Sequence, residues 1–151
     1  MRRLLPILLA VAFAAIVAAP AGARIVPGQS IAGVKLGMTK PQVKGVLGDP
    51  TTIAHGANEF GTFTVFKYFR LSVTFQGNQS VTAIKTTRKR ERTRHDIGVG
   101  STRAQVIAKV PGVQCFRTVC QKGQSLPGER ITAFFLYQRR VTSVLVGFVI
   151  D

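Results

Sequence analysis

Gly37-Met38-Thr39-Lys40-Pro41-Gln42-Val43-Lys44-Gly45-Val46-Leu47 is matched further along the chain by Gly100-Ser101-Thr102-Arg103-Ala104-Gln105-Val106-Ile107-Ala108-Lys109-Val110. Gly, Thr, Gln and Val coincide, and the pairs Lys40/Arg103 and Leu47/Val110 keep charge or apolar character. The coinciding residues have a physical task. Thr39 with Gln42, and Thr102 with Gln105, form the S/T-x-x-E/Q capping box that satisfies free amides at a helix start. Pro41 and Ala104 suit a first turn. Val43, Val46 and Leu47 then fall on one helix face. Gly48-Asp49-Pro50 and Pro111-Gly112 end the two helices after about three turns.

The segments after the two helices are matched as well. Leu71-Ser72-Val73-Thr74-Phe75 alternates, turns at Gln76-Gly77-Asn78-Gln79 and returns as Val81-Thr82-Ala83-Ile84. Ile131 to Tyr137 turns at Gln138-Arg139-Arg140 and returns as Val141 to Val146. Both read as β-hairpins. The segment Gly61 to Tyr68 supplies a strand before the first hairpin, and Cys115 to Cys120 a strand pair before the second. The reading is therefore an α+β domain over 24–151, made of two related helix-plus-antiparallel-strand halves, about 31–87 and 95–150. Its short helices are expected to pack on one face of an antiparallel sheet. The second hairpin is apolar on both faces, which places it near the sheet centre.

The phrase Val34-Lys35-Leu36-Gly37-Met38-Thr39-Lys40-Pro41-Gln42-Val43, followed by Val46-Leu47-Gly48-Asp49-Pro50, resembles the helix signature of the SmpA/OmlA-type outer-membrane assembly lipoproteins. It also resembles the repeat of the β-lactamase inhibitory protein family, which doubles a helix-plus-sheet unit. The second-half phrase Ile97 to Val106 is similar to exported actinobacterial proteins of unassigned function. The resemblance implies a fold and a habit of binding proteins. The lipidated Cys of the lipoproteins is missing here. The inhibitor's target does not carry over either, because this chain has one candidate bridge and a strong positive charge.

At the N-terminus, Arg2-Arg3 precedes an apolar run, Leu4 to Ala19, and then Ala21-Gly22-Ala23. A positive start, an apolar stretch and an A-x-A site in that order read as a secretory signal peptide over 1–23, cleaved near Ala23. The run is short of the ~20 residues that span a bilayer, so no transmembrane segment is expected in the mature chain. Export places the protein outside the cytoplasm, secreted or in the cell envelope. An oxidising compartment favours a disulfide between Cys115 and Cys120, the only two cysteines. A redox dithiol or half a metal site are the alternatives, but the spacing is not C-x-x-C and no second pair completes four ligands.

The whole chain of 151 residues carries 21 Lys+Arg against 6 Asp+Glu, a formal charge of +15. That balance excludes an acidic disordered tail, and the length and cysteine count exclude a disulfide-dense miniprotein. Removing 1–23 takes only Arg2 and Arg3 from the excess. The densest basic stretch is Arg88-Lys89-Arg90-Glu91-Arg92-Thr93-Arg94-His95, between the two halves. Arg88, Lys89, Arg90, Arg92 and Arg94 are the candidate contacts for an anionic partner, whether a protein, an envelope polymer or a lipid surface. Nucleic acid is disfavoured by export and by the lack of interleaved aromatics.

Chemistry-bearing patterns are few. Gly98-Val99-Gly100-Ser101-Thr102 lacks the Lys and the magnesium-binding acid of a phosphate loop, and the matching position in the first half is a helix cap. His55 and His95 are the only histidines, and the acids Asp49, Glu59, Glu91, Asp96, Glu129 and Asp151 form no spaced pair. A small hydrolase using His55 or His95 would need one ring beside a carboxylate in a pocket. No catalytic set, metal site or cofactor is expected. The leading expectation is a secreted, non-enzymatic binding module. An envelope protein held by charge to lipid or wall polymer is the alternative.

Overall fold

A computed structural model describes residues 24–150. Residues 1–23, read from the sequence as a signal peptide, and Asp151 lie outside the described residues. Three short strands, β1 (Ile25–Val26), β2 (Ser30–Ile31) and β3 (Val34–Lys35), form a small antiparallel sheet. Helix α1 (Lys40–Leu47) leads into β4 (Thr52–Asn58), β5 (Gly61–Tyr68), β6 (Leu71–Gln76) and β7 (Ala83–Thr86). Helix α2 (Arg103–Lys109) leads into β8 (Gln114–Cys115), β9 (Val119–Lys122), β10 (Arg130–Tyr137) and β11 (Arg140–Phe148). β4 to β11 make one eight-stranded sheet in the order β4-β5-β6-β7-β11-β10-β9-β8. Its ladders are antiparallel throughout, and β7 joins β11 through Ile84–Val146 and Thr86–Val144.

Both helices start on closed capping boxes. Thr39 N–H donates to Gln42 Oε1 at 2.9 Å while Thr39 Oγ1 accepts from Gln42 N–H at 3.4 Å. At α2 the same exchange runs between Thr102 and Gln105 at 2.9 and 3.2 Å. Each box is worth about 1 kcal/mol to its helix. A glycine before each helix is also tied to the chain at or just ahead of a strand. Gly37 N–H donates to Val81 O at 2.8 Å, and Gly100 N–H to Val141 O at 2.8 Å. Both glycines sit at positive φ, 86° and 94°, where a side chain is strained.

The α+β expectation is overturned. Among the described residues the chain is mostly β, with two antiparallel sheets and only two helices of eight and seven residues. The helices are too short to form a covering layer. Each buries one side chain fully, Val43 and Val106, while Val46 on the expected apolar face is 45% exposed and Ile107 51%. The apolar face of the large sheet carries Phe66, Val73, Phe75, Ile84, Val144 and Phe134. Ile25, Ile31 and Val34 of the small sheet join these residues in the core, together with Ile97 and Val99 of the segment joining β7 to α2. Layering of a sheet against irregular chain and a smaller sheet satisfies burial without a helical layer.

Candidate functional site

Antiparallel register decides which turns share an end of the large sheet. Tyr68 faces Leu71, Leu71 faces Thr86, and Thr86 faces Val144. Tyr137 faces Arg140, and Cys115 faces Cys120. One end therefore gathers the Phe69-Arg70 turn, the start of the 87–101 junction, the Gln138-Arg139 turn and the 116–118 tip. Thr102 bridges to Arg140, so the start of α2 joins them, whereas α1 starts at the opposite end through the Thr39–Ser80 bridge.

This end is strongly cationic. An open groove beside α2 is lined by Arg103, Arg117, Arg139 and Arg140 over Ala104 and Ile107. A second groove, sharing Gln138 and Arg140 with the first, adds Arg70, Lys89 and Tyr137. Arg103 Nη2 donates to Cys115 O at 3.3 Å and Arg140 Nη1 to Gly100 O at 3.1 Å. Each of these guanidiniums is thereby oriented by the backbone and keeps further N–H donors free. The acids at this end are already engaged. Asp49 pairs with Lys44 at 3.0 Å, and Glu91 is fully buried.

The five basic residues of the junction part company. Arg88 turns inward: Nη1 lies 3.4 Å from Glu91 Oε1 and Nε donates to Phe69 O at 2.7 Å. Arg92 pairs with Asp96 at 2.6 Å and donates to Val99 O, Asp96 O and Ser101 Oγ, so it ties the junction to itself. Arg90 is exposed, with its Nε 3.4 Å from Glu91 Oε1. Lys89 faces the groove with Arg70 and Tyr137. Arg94 lines a separate cleft with Arg24, Lys109 and Lys122. The run is thus a structural knot around buried Glu91 with Lys89 and Arg90 left facing outward. The knot also needs Gly98, where a Cβ would stand 2.5 Å from Glu91 O.

Among the described residues neither histidine meets a carboxylate. His55 Nδ1 lies 3.2 Å from Thr64 Oγ1, which donates its proton to Asn78 Oδ1 at 2.5 Å and accepts from Lys40 Nζ at 3.3 Å. With the hydroxyl proton given to Asn78, His55 Nδ1 acts as donor and has no base role toward Thr64. His95 Nε2 accepts from Arg94 Nε at 2.9 Å. Among the described residues no cluster of His, Cys, Asp or Glu could hold a metal. The Cys115–Cys120 disulfide is formed and closes the 116–119 tip. No helix of the described residues is long and apolar enough to cross a membrane.

Arg70, Arg117, Arg139 and Arg140 are absent from the sequence-level site because they are scattered along the chain and only strand register unites them. A usable signal exists all the same. The two-residue turns Phe69-Arg70 and Gln138-Arg139 carry no glycine or asparagine in the sequence, and in the fold Arg70, Gln138 and Arg139 take positive φ of 55°, 48° and 61°, where those residues are cheapest. Tyr68 also stands at this end. Burial, aided by the Asp49 charge, holds its phenol above the ordinary 10.0, and its hydroxyl donates to Gly48 O at 3.1 Å. No family model, curated protein or solved structure matches this chain.

Proposed function

We propose that the protein is an exported, non-enzymatic binding module that grips an anionic partner with the cationic end of its large sheet. One observation carries the reading. Arg70, Lys89, Arg103, Arg117, Arg139 and Arg140 line two adjoining grooves, and the acids of that end are paired or buried. Guanidinium forks held by backbone carbonyls suit bidentate oxyanions. The signal-peptide reading of 1–23 and the disulfide support an extracytoplasmic setting. The matched joints at Gly37–Val81 and Gly100–Val141 support two related units, and the resemblance to tandem binding proteins favours binding over catalysis.

Immobilised inorganic polyphosphate is the probe. The protein is expected to bind at low salt and to release steeply as salt rises. R103Q/R117Q/R139Q/R140Q should weaken binding far more than R90Q/R94Q. Absence of binding even at low salt would refute the reading.

A further inference from the structure

Charge is not the only property concentrated at this end. The three most exposed large apolar side chains of the described residues are Phe69 at 76%, Tyr137 at 69% and Phe116 at 59%. Each stands at a turn or tip of the same sheet end: β5–β6, β10–β11 and β8–β9. With neighbouring strands about 4.8 Å apart, the three tips succeed one another at roughly 14 and 10 Å along the sheet end. Tyr137, three residues past the level shared by Leu71, Phe134 and Cys120, projects roughly 7 Å beyond the other two. Each has a cation at hand. The Arg70 guanidinium lies 5.5 Å from the Phe69 ring centroid. Tyr137 shares its groove with Arg70 and Lys89, and Phe116 is followed by Arg117.

A polyanion in water accounts for the arginines and leaves the aromatic rings unexplained. Exposed aromatic side chains spread among cations along one sheet end suit a surface that is negative at its face and apolar just beneath it. We infer that the partner is an anionic lipid bilayer, met end-on, with Phe69, Phe116 and Tyr137 entering the headgroup region while the arginines engage lipid phosphates. The inference rests on the proposed anion-binding role and narrows it to one occupant. Tyrosine is favoured where one side is apolar and the other wet, and arginine stems can lie along acyl chains with their heads at phosphate level. Association of this kind is peripheral: it adds apolar burial to attraction by anionic headgroups, and each alone is weak.

The chain contains no tryptophan, so a single introduced indole reports on one position. F69W and F116W report on the cationic end, and F60W on the opposite end. Each is titrated with phosphatidylglycerol/phosphatidylcholine vesicles, with phosphatidylcholine vesicles and with soluble polyphosphate. Blue-shifted emission and shielding from an aqueous quencher are expected for F69W and F116W with the anionic vesicles only, while F60W stays in water. Separately, F69S/F116S/Y137S should weaken vesicle binding by about tenfold for each ring that inserts. R70Q/R103Q/R139Q/R140Q should weaken it roughly fivefold for each charge removed.

Polyphosphate binding with no indole shift on anionic vesicles overturns the bilayer inference and leaves the anion-binding role standing. Equal binding to phosphatidylcholine alone also overturns it, because the arginines would then be idle. Binding to neither polyphosphate nor vesicles defeats both.

Discussion

The two ends of the large sheet are built from the same hairpins and differ in what fills the turns. At the end where α1 starts, turning is done by residues suited to it: Gly61 at φ 104°, Gly77 at 73° and Asn78 at 59°. Charge there is mixed, since Glu59 in the β4–β5 turn and Glu129 just before β10 share that end with Lys40 and Arg130. At the end where α2 starts, the same left-handed conformations fall to Arg70, Gln138 and Arg139. Each costs about 1 kcal/mol relative to glycine. The difference separates two demands on a turn. One end is optimised for closing a hairpin, while the other holds large cationic side chains outward at some expense in stability, as functional surfaces commonly do.

The cationic end also depends on one buried acid, and removing its partner is the harshest way to break the contrast. In R88A the fully buried Glu91 carboxylate would be left with Arg90 alone, and stability should fall by about 3 kcal/mol. Chemical denaturation measures the loss, and R88M/E91L should recover most of it. Hydrogen exchange should show the opening in the 87–101 junction and not in the β4–β5 hairpin. A next, smaller break is C115S/C120S, which frees the tip holding Phe116 and Arg117. Loop-closure entropy puts this loss at about 2 kcal/mol, with binding to polyphosphate weakened because Arg103 loses its fixed partner at Cys115 O.

How much of this is legible in the sequence depends on the range of each interaction. A capping box needs three residues of separation, so Thr39/Gln42 and Thr102/Gln105 stand out in the string, as do two cysteines closing a short tip. The fold class fails on a longer-range quantity. Spacing suggests strong helices, but only tertiary packing decides whether Val46 and Ile107 find cover, and neither does. β4 escapes detection because Thr52–Asn58 is exposed over most of its length and shows no clean alternation. It carries Gly56, over which the Phe63 ring lies so closely that a Cβ would meet it at 2.5 Å. Strands of two residues, such as β1 to β3, have no period to detect. The run 88–94 stands out by local charge density. Its Glu91 reads as an interruption in the string, yet in the fold it is the centre around which Arg88 and Arg90 gather. The grooves are invisible in one dimension because Arg70, Arg103, Arg117 and Arg139 meet only through register.

The sharpest test of the contrast exchanges turn chemistry between stability and binding. R139G should stabilise the protein by about 1 kcal/mol, because glycine accepts φ 61° without strain. The same change should weaken polyphosphate or anionic-vesicle binding about fivefold. G77A at the opposite end should do the reverse in stability, losing about 1 kcal/mol with binding unchanged. Thermal melts paired with binding isotherms would show the two variants moving in opposite directions. If R139G gains nothing in melting temperature, or if G77A weakens binding as much as R139G does, the two ends are not specialised in the way their turns imply.

The smallest effect distinguishes the ends by pH. Tyr68 closes β5 at the cationic end, and its phenol titrates above the usual 10.0 because burial, and then the Asp49 charge, disfavour the phenolate. A folded-state value above the unfolded one means that the native protein holds this proton longer than the denatured chain. The resulting stability is complete below pH 10 and is lost as pH rises through the folded value. Denaturant midpoints measured from neutral pH upward should therefore fall at the alkaline limit in the wild type, and the fall should be shallower in Y68F. D49N should flatten it only partly, since the Asp49 charge is the lesser of the two causes. Equal alkaline slopes in the wild type and Y68F would show that burial and the Asp49 charge do not hold this proton on the native protein in solution.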